Sequence, residues 1–193
     1  MARPRAFNEN EVSEAILQAF WGRGYGATSI AYLSEVTGLL PGSLYAAFGS
    51  KERMFQLAFE RYMALLAEAI TTDYRGSDAI EYIFRTIVEM TLDDSDRRGC
   101  LLINAIPEAK ALPSDLQAEL RRGLESMRGI LVGHINEIEL EPDAEPEALV
   151  SLLLAAAISI RVFGRSGFPA QTLHEVADGA ITAVRHCQLR NNC

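Results

Sequence analysis

Ser43, Tyr45 and Lys51 fall close together in the stretch TGLLPGSLYAAFGSKERM, which runs from Thr37 to Met54. A serine can bond a base edge or a phosphate, and a tyrosine hydroxyl can reach a phosphate oxygen. A lysine at a helix start adds a cation to free backbone N–H groups, a second grip for phosphate. Ala46 and Ala47 add methyls that can touch thymine methyls and leave room for close approach. Such a small, nearly uncharged face suits a nucleic-acid duplex edge.

The remaining reactive side chains select no catalytic chemistry. His134, His174 and His186 make no HExxH pair, and the chain has neither a nucleophile elbow nor a phosphate loop. Glu108 and the other carboxylates read as solvated helix charges. Cys100, Cys187 and Cys193 have no metal-ligand spacing and cannot all pair with one another within one monomer, so neither a metal, a cofactor nor a disulfide scaffold is expected. Cys100 follows DDSDRRG; Arg97 and Arg98 could lower its thiol pKa and make it an oxidant or electrophile sensor, against the opposing effect of the adjacent acids.

At 193 residues, 49% hydrophobic and 23% charged, the chain suffices for one sizeable globular unit or two small ones. The net charge of −8 is uneven: residues 1 to 62 carry six basic and six acidic side chains, so the acidity belongs to the later part. The first residues lack the apolar run of a signal peptide, and no uncharged apolar run reaches about 18 residues. The reading is a cytoplasmic protein with no membrane partner.

What would hold the small face in place is a set of helices. Val12, Ala15, Ile16, Ala19 and Phe20 stripe a first helix behind an Asn8 cap, ending near Gly24. Thr28 can cap a second, carrying Ile30, Leu33 and Val36 and stopped by Gly38. A third runs from about Gly42 to Phe48, and Ser50 caps a long fourth that includes Phe55, Ala58, Tyr62, Leu65, Leu66 and Ile70. A fifth follows Gly76, Pro107 bends a sixth, and Leu116 to Ile138 stripe a seventh. The segment ALVSLLLAAAISIRVFG reads as an eighth helix covered on several sides, about 16 residues with Arg161 inside and so too short and too charged to span a membrane. Leu173 to Val184 stripe a ninth. No strand pattern or fixed-period repeat appears, so the fold class is all-α with about nine helices.

A helix as short as the third is marginal alone and needs a brace, which a helix-turn-helix unit supplies. Leu44 and Phe48 would then face the core, with Ser43, Tyr45, Ala46 and Ala47 outward.

The run YGATSIAYLSEVTGLLPGSLYAAFGSKERMF resembles the DNA-binding signature of the tetracycline-repressor (TetR) family, most specifically over about residues 8 to 55, and the nine-helix layout is similar throughout. The resemblance implies a homodimer in which residues 1–50 form a helix-turn-helix DNA-binding domain and residues 51–193 a helical ligand-binding and dimerisation domain. It implies a repressor on a palindromic double-stranded operator, released when a small-molecule effector changes the separation of the two reading heads. By motif match, Thr28, Ser43, Tyr45 and Lys51 fall at DNA-facing positions, and Pro41, Gly42 and Ala46 complete that face. The chain departs from the family at Leu40, Pro41, Ala46 and Ala47, where a serine cap, a basic or polar residue and an aromatic or histidine pair are frequent. Pro41 can still begin a helix, since its missing N–H would be unpaired there anyway. Arg3 and Arg5 in the arm ARPR can partly compensate by following a phosphate strand or entering a narrow minor groove.

An apolar cavity with a few polar fixtures is the expected form of an effector site. Met63, Leu66, Phe84, Ile87, Cys100, Asn104, Met127, Leu131 and His134 are its candidate lining, for a small apolar or aromatic molecule. Leu152, Ala156, Ile160, Phe163, Val176, Ala180, Ile181 and Val184 on the last two helices are the candidate dimer interface, a four-helix arrangement with a symmetry mate. Two alternatives stay open: a thiol-based redox or electrophile-sensing repressor acting through Cys100, and a helical small-molecule-binding protein without DNA-binding activity.

Overall fold

The computed structural model describes residues 7–189; Arg3, Arg5 and Cys193 lie outside them. Among the described residues there are nine α-helices and no strand beyond one isolated antiparallel bridge between Leu140 and Gln188. In chain order they are α1 Glu9–Ala27, α2 Ile30–Thr37, α3 Pro41–Phe48, α4 Lys51–Ile70, α5 Gly76–Leu92, α6 Leu101–Ala105, α7 Ser114–Ile135, α8 Pro146–Arg165 and α9 Ala170–Cys187. Pro107 falls in a 3-10 segment, Ile106–Ala111, that continues α6, consistent with the expected bend.

One expected boundary holds and one moves. The regular first helix breaks at Gly24, as expected, with non-helical angles there (φ 79°, ψ 175°) before a further turn to Ala27. A distant acid explains this: Glu108 Oε2 accepts a 2.6 Å hydrogen bond from Gly26 N–H, so Glu108 is a helix-end anchor and not a solvated charge. The boundary that moves is the cap of α2. Ser29 caps it, its Oγ accepting from Tyr32 N, whereas Thr28 is fully buried and donates Oγ1 to the carbonyls of Ala19 and Gly24.

α4 joins the front of the molecule to the rest. Its N-terminal half packs on α1 through Phe55, edge-on to Phe20 with centroids 5.2 Å apart, and its next turn places Tyr62 edge-on to Trp21 at 5.0 Å. Burying an aromatic ring of this size contributes roughly 1.5–3 kcal/mol. α5, α7, α8 and α9 pack together as the second layer, with Ile80, Phe84, Leu153, Ile160, Leu173 and Ala177 at its fully covered centre.

α8 has 20 residues and a mean hydropathy of 1.8 across its most apolar window, long and apolar enough to cross a membrane by length and composition. That corrects the shorter extent read from sequence. It nevertheless packs against α5, α7 and α9 and buries Arg161.

Candidate functional site

The turn between α2 and α3 is built locally. Gly38 takes the left-handed conformation (φ 70°, ψ 6°) that a side chain would oppose, Ser34 Oγ donates to Leu39 O, and Thr37 Oγ1 donates to Leu33 O. α3 then starts at Pro41 with Leu40 as its cap and no side-chain cap bond, as a proline at the first helical position allows. Leu44 is fully buried and Phe48 nearly so, braced from the side by Phe7 with ring centroids at 6.3 Å. Pro41, Gly42, Ser43, Tyr45 and Ala46 are exposed, Tyr45 at 49%, and Ala47 is half-buried. A Cβ built on Gly42 would meet nothing within 4 Å.

Of the residues placed on this face, Thr28 does not belong to it. Its buried hydroxyl closes the α1 end, so the residue shapes the approach to α2 without presenting an atom outward. Lys51 is half-buried at the first turn of α4, its Nζ 4.3 Å from the centre of the Tyr25 ring. Desolvation holds its pKa below the usual lysine value, against the carboxylates of Glu52 and Glu108. Tyr25 Oη donates to Glu52 Oε1 at 3.0 Å, and burial, that bond and the Glu52 charge raise the phenol pKa to about 12. Arg23 of α1, whose guanidinium lies 3.5 Å from the centre of the Tyr32 ring on α2, is a further cation of this unit that sequence reading did not single out.

In the second layer, two adjoining apolar cavities open between α4, α5, α7 and α8. Leu66, Ile87, Met127 and Ala157 line both; Leu131 lines one, and Cys100 and Arg161 line the other. Each holds only about 20 Å³, room for roughly one water. Five of the nine expected lining residues thus come together: Leu66, Ile87, Cys100, Met127 and Leu131.

The other four do not line it. Phe84 is wholly buried elsewhere in the core and Met63 is half-buried on α4. Asn104 Nδ2 donates to Arg98 O at 2.6 Å, which commits it to latching the loop before α6. His134 points to an outer groove along α4 and α7, where its Nδ1 lies 3.4 Å from Glu137 Oε2. A seven-residue stripe cannot tell which of its members meet the cavity and which meet the rim.

Cys100 is 3% exposed within this apolar wall. Of the two neighbouring cations expected to activate it, Arg97 is exposed and Arg98 is otherwise engaged: Arg98 bonds Asp94 through Nε at 2.9 Å, bonds Gln18, and stacks 4.0 Å from the Trp21 ring centre. Sequence reading missed the cluster Trp21, Tyr62 and Arg161 beside Cys100; the available signal was an arginine in an otherwise apolar helix. No group of three or more potential metal ligands occurs among the described residues.

The outward face of α8 and α9 is apolar, but only in part by the residues expected. Leu152 is 51% exposed, with Ala156, Phe163 and Val176 half-buried beside it and Val162 exposed. Ile160, Ala180, Ile181 and Val184 are buried within the subunit and cannot meet a partner. The physical reason is that α8 and α9 each carry two apolar faces, and periodicity does not say which is inside.

Residues 13–58 match the family described as bacterial regulatory proteins, tetR family. The chain is 23% identical over 184 residues to the HTH-type transcriptional repressor ComR of Escherichia coli strain K12, spanning 91% of this chain and 88% of that one. Identity to the HTH-type transcriptional repressor BdcR of the same organism is 27% over 108 residues, about half of each chain. Among solved structures, a cysteine mutant of the TetR family transcriptional regulator CifR in complex with 26-base-pair operator DNA superposes with a TM-score of 0.79 at 27% identity, covering 94% of this chain and 99% of that one. A TetR transcriptional regulator from Chloroflexus aurantiacus shares the fold at a TM-score of 0.80 and 20% identity, over 94% and 96% of the two chains. The helix-turn-helix unit and the helical layer behind it share the architecture of these regulators. Residues 13–58 thus carry the signature of the tetR family, and the relatives the chain resembles over its length are transcriptional regulators.

Proposed function

We propose that the chain is a ligand-responsive repressor that binds a palindromic double-stranded operator as a homodimer. The observation that carries this reading is the division of α3: Leu44 and Phe48 are locked into the core while Ser43, Tyr45 and Ala46 stand outward beside an open Gly42. A short rigid helix with a small outer surface fits the major groove, with Tyr45 and Lys51 on phosphates. The neutral balance of the front of the chain suits that contact better than the acidic remainder does.

In this reading residues 1–50 are the DNA-binding domain, residues 51–193 bind the effector and the second subunit, and the protein works in the cytoplasm. The effector enters the cavity between α4, α5, α7 and α8, whose present room of about 20 Å³ means that binding must push the helices apart. That displacement is the physical source of release. Selection of bound duplexes from a random pool tests the reading. A palindrome with two half-sites about one helical turn apart is expected; enrichment of no sequence would leave a helical binding protein without DNA recognition.

A further inference from the structure

Arg161 is 6% exposed, and no carboxylate among the described residues forms an ion pair with it. Its hydrogen-bond partners are neutral: Nη1 donates to Thr91 Oγ1 at 2.9 Å and Nη2 to Gly99 O at 2.6 Å. A guanidinium carries five N–H donors, and these two bonds engage two of them, neither to a charged partner. A buried cation without a counter-charge is costly, and removing it from water is repaid only by paired and hydrogen-bonded surroundings.

A polar group behind Cys100 and Arg161 is unsatisfied. Tyr62 is 3% exposed and its Oη has no hydrogen-bond partner. Burial pushes its pKa up, Cys100 adds to the rise and Arg161 opposes it, which places the phenol beside both. Cys100 and Arg161 line the same cavity, whose other walls are Leu66, Ile87, Met90 and Met127. Its flexible methionines are suited to repacking around an inserted chain or ring.

We propose that this cavity takes a small amphipathic carboxylate, its carboxylate accepting from Arg161 and Tyr62 and its apolar part lying against Leu66, Ile87 and Met127. The proposal rests on the effector reading above and names the chemical class of that effector. A planar carboxylate matches the two-pronged guanidinium and supplies the missing counter-charge, which a neutral apolar molecule cannot.

The same arginine reaches the DNA-binding unit. Gly99 O accepts from Arg161 Nη2 and also from Trp21 Nε1 on α1 at 3.0 Å. Trp21 is held further by Tyr62 and by Arg98. A carboxylate that draws Nη2 off Gly99 O therefore alters the seat of Trp21, and with it α1.

Trp21 is the single tryptophan in the sequence, so its fluorescence reports on this site directly. The full-length protein is titrated with octanoate and phenylacetate, and with octanamide and phenylacetamide as neutral counterparts, following Trp21 emission, melting temperature and operator affinity. The carboxylates are expected to bind at least about tenfold more tightly than the amides. Arg161→Met should erase that preference and Arg161→Lys retain part of it. Should the arginine variants fail to fold, Tyr62→Phe must still weaken the carboxylates severalfold while leaving the amides unaffected. Equal or tighter amide binding, or no binding by either class, overturns the proposal. Amides that bind and release operator would sink the carboxylate class yet keep the effector reading; carboxylates that bind without altering operator affinity would keep the site and sink that reading.

Discussion

Glu108 Oε2 stands 2.6 Å from the backbone nitrogen of Gly26, 82 positions earlier in the chain. Through it the 3-10 segment behind α6 holds the last turn of α1, where Gly24 adopts a φ of 79° that a side chain would strain and where a Cβ would displace the Glu108 carboxylate. Glu108→Ala hands that solvent-exposed N–H to water and should cost about 0.5–1.5 kcal/mol, read as a lower melting temperature and faster exchange of the Gly26 amide. Glu108→Gln keeps an acceptor oxygen and should cost less. Equal melting of wild type and Glu108→Ala would show the contact to be idle.

Gly42 separates stability from recognition. Its virtual Cβ meets open space, so Gly42→Ala fits the fold and should leave stability equal or raise it by up to about 1 kcal/mol through helix propensity. The added methyl would stand between α3 and a groove, so operator affinity should fall. Unchanged affinity in a gel-shift titration would take Gly42 off the contact face.

Lys51→Ala should weaken binding to all sequences alike and lower the slope of log affinity against log salt by about one. Tyr45→Phe should weaken binding without changing that slope, because a hydroxyl releases no counterion. An unaltered slope for Lys51→Ala would mean that the ammonium stays on Tyr25 and never reaches phosphate.

Leu152→Arg and Ile181→Ala test the two faces of the α8 and α9 pair. Leu152 is half exposed, so the arginine should leave helicity intact and give a monomer by light scattering. Ile181 is 3% exposed, and its truncation should cost about 2–5 kcal/mol in denaturant unfolding at unchanged stoichiometry. A Leu152→Arg dimer would move the interface elsewhere.

Glu137 accepts from Gly76 N–H at 3.0 Å and pairs with His134 and Arg75. Chiefly the Gly76 bond, then His134 and Arg75, hold its pKa below the ordinary carboxylate value of 4.5. An acid whose folded pKa is depressed stabilises the fold above its unfolded value and loses that contribution as pH falls through the folded one. Melting temperature should therefore decline below about pH 4.5, and Glu137→Gln should flatten that decline. Parallel pH profiles for the two proteins would contradict this.

The elements themselves were legible from local rules. Asn8, Ser50 and Gly38 mark helix ends through their own backbone and side-chain chemistry, and Pro107 interrupts α6 because it lacks an N–H. The outward set of α3 follows from Leu44 and Phe48 being four apart, since residues at that spacing share a face.

Sequence thus determined the helices, their order and the outward face of α3, because each depends on contacts within a few residues. Only the tertiary structure decided that Ile160, Ala180, Ile181 and Val184 face inward, that Thr28 is sealed beneath α2, that Glu108 anchors α1, and that Tyr62 and Arg161 meet at Cys100. Those relations join positions up to about a hundred residues apart, and a helix with two apolar faces carries no local mark of which one its neighbours will cover.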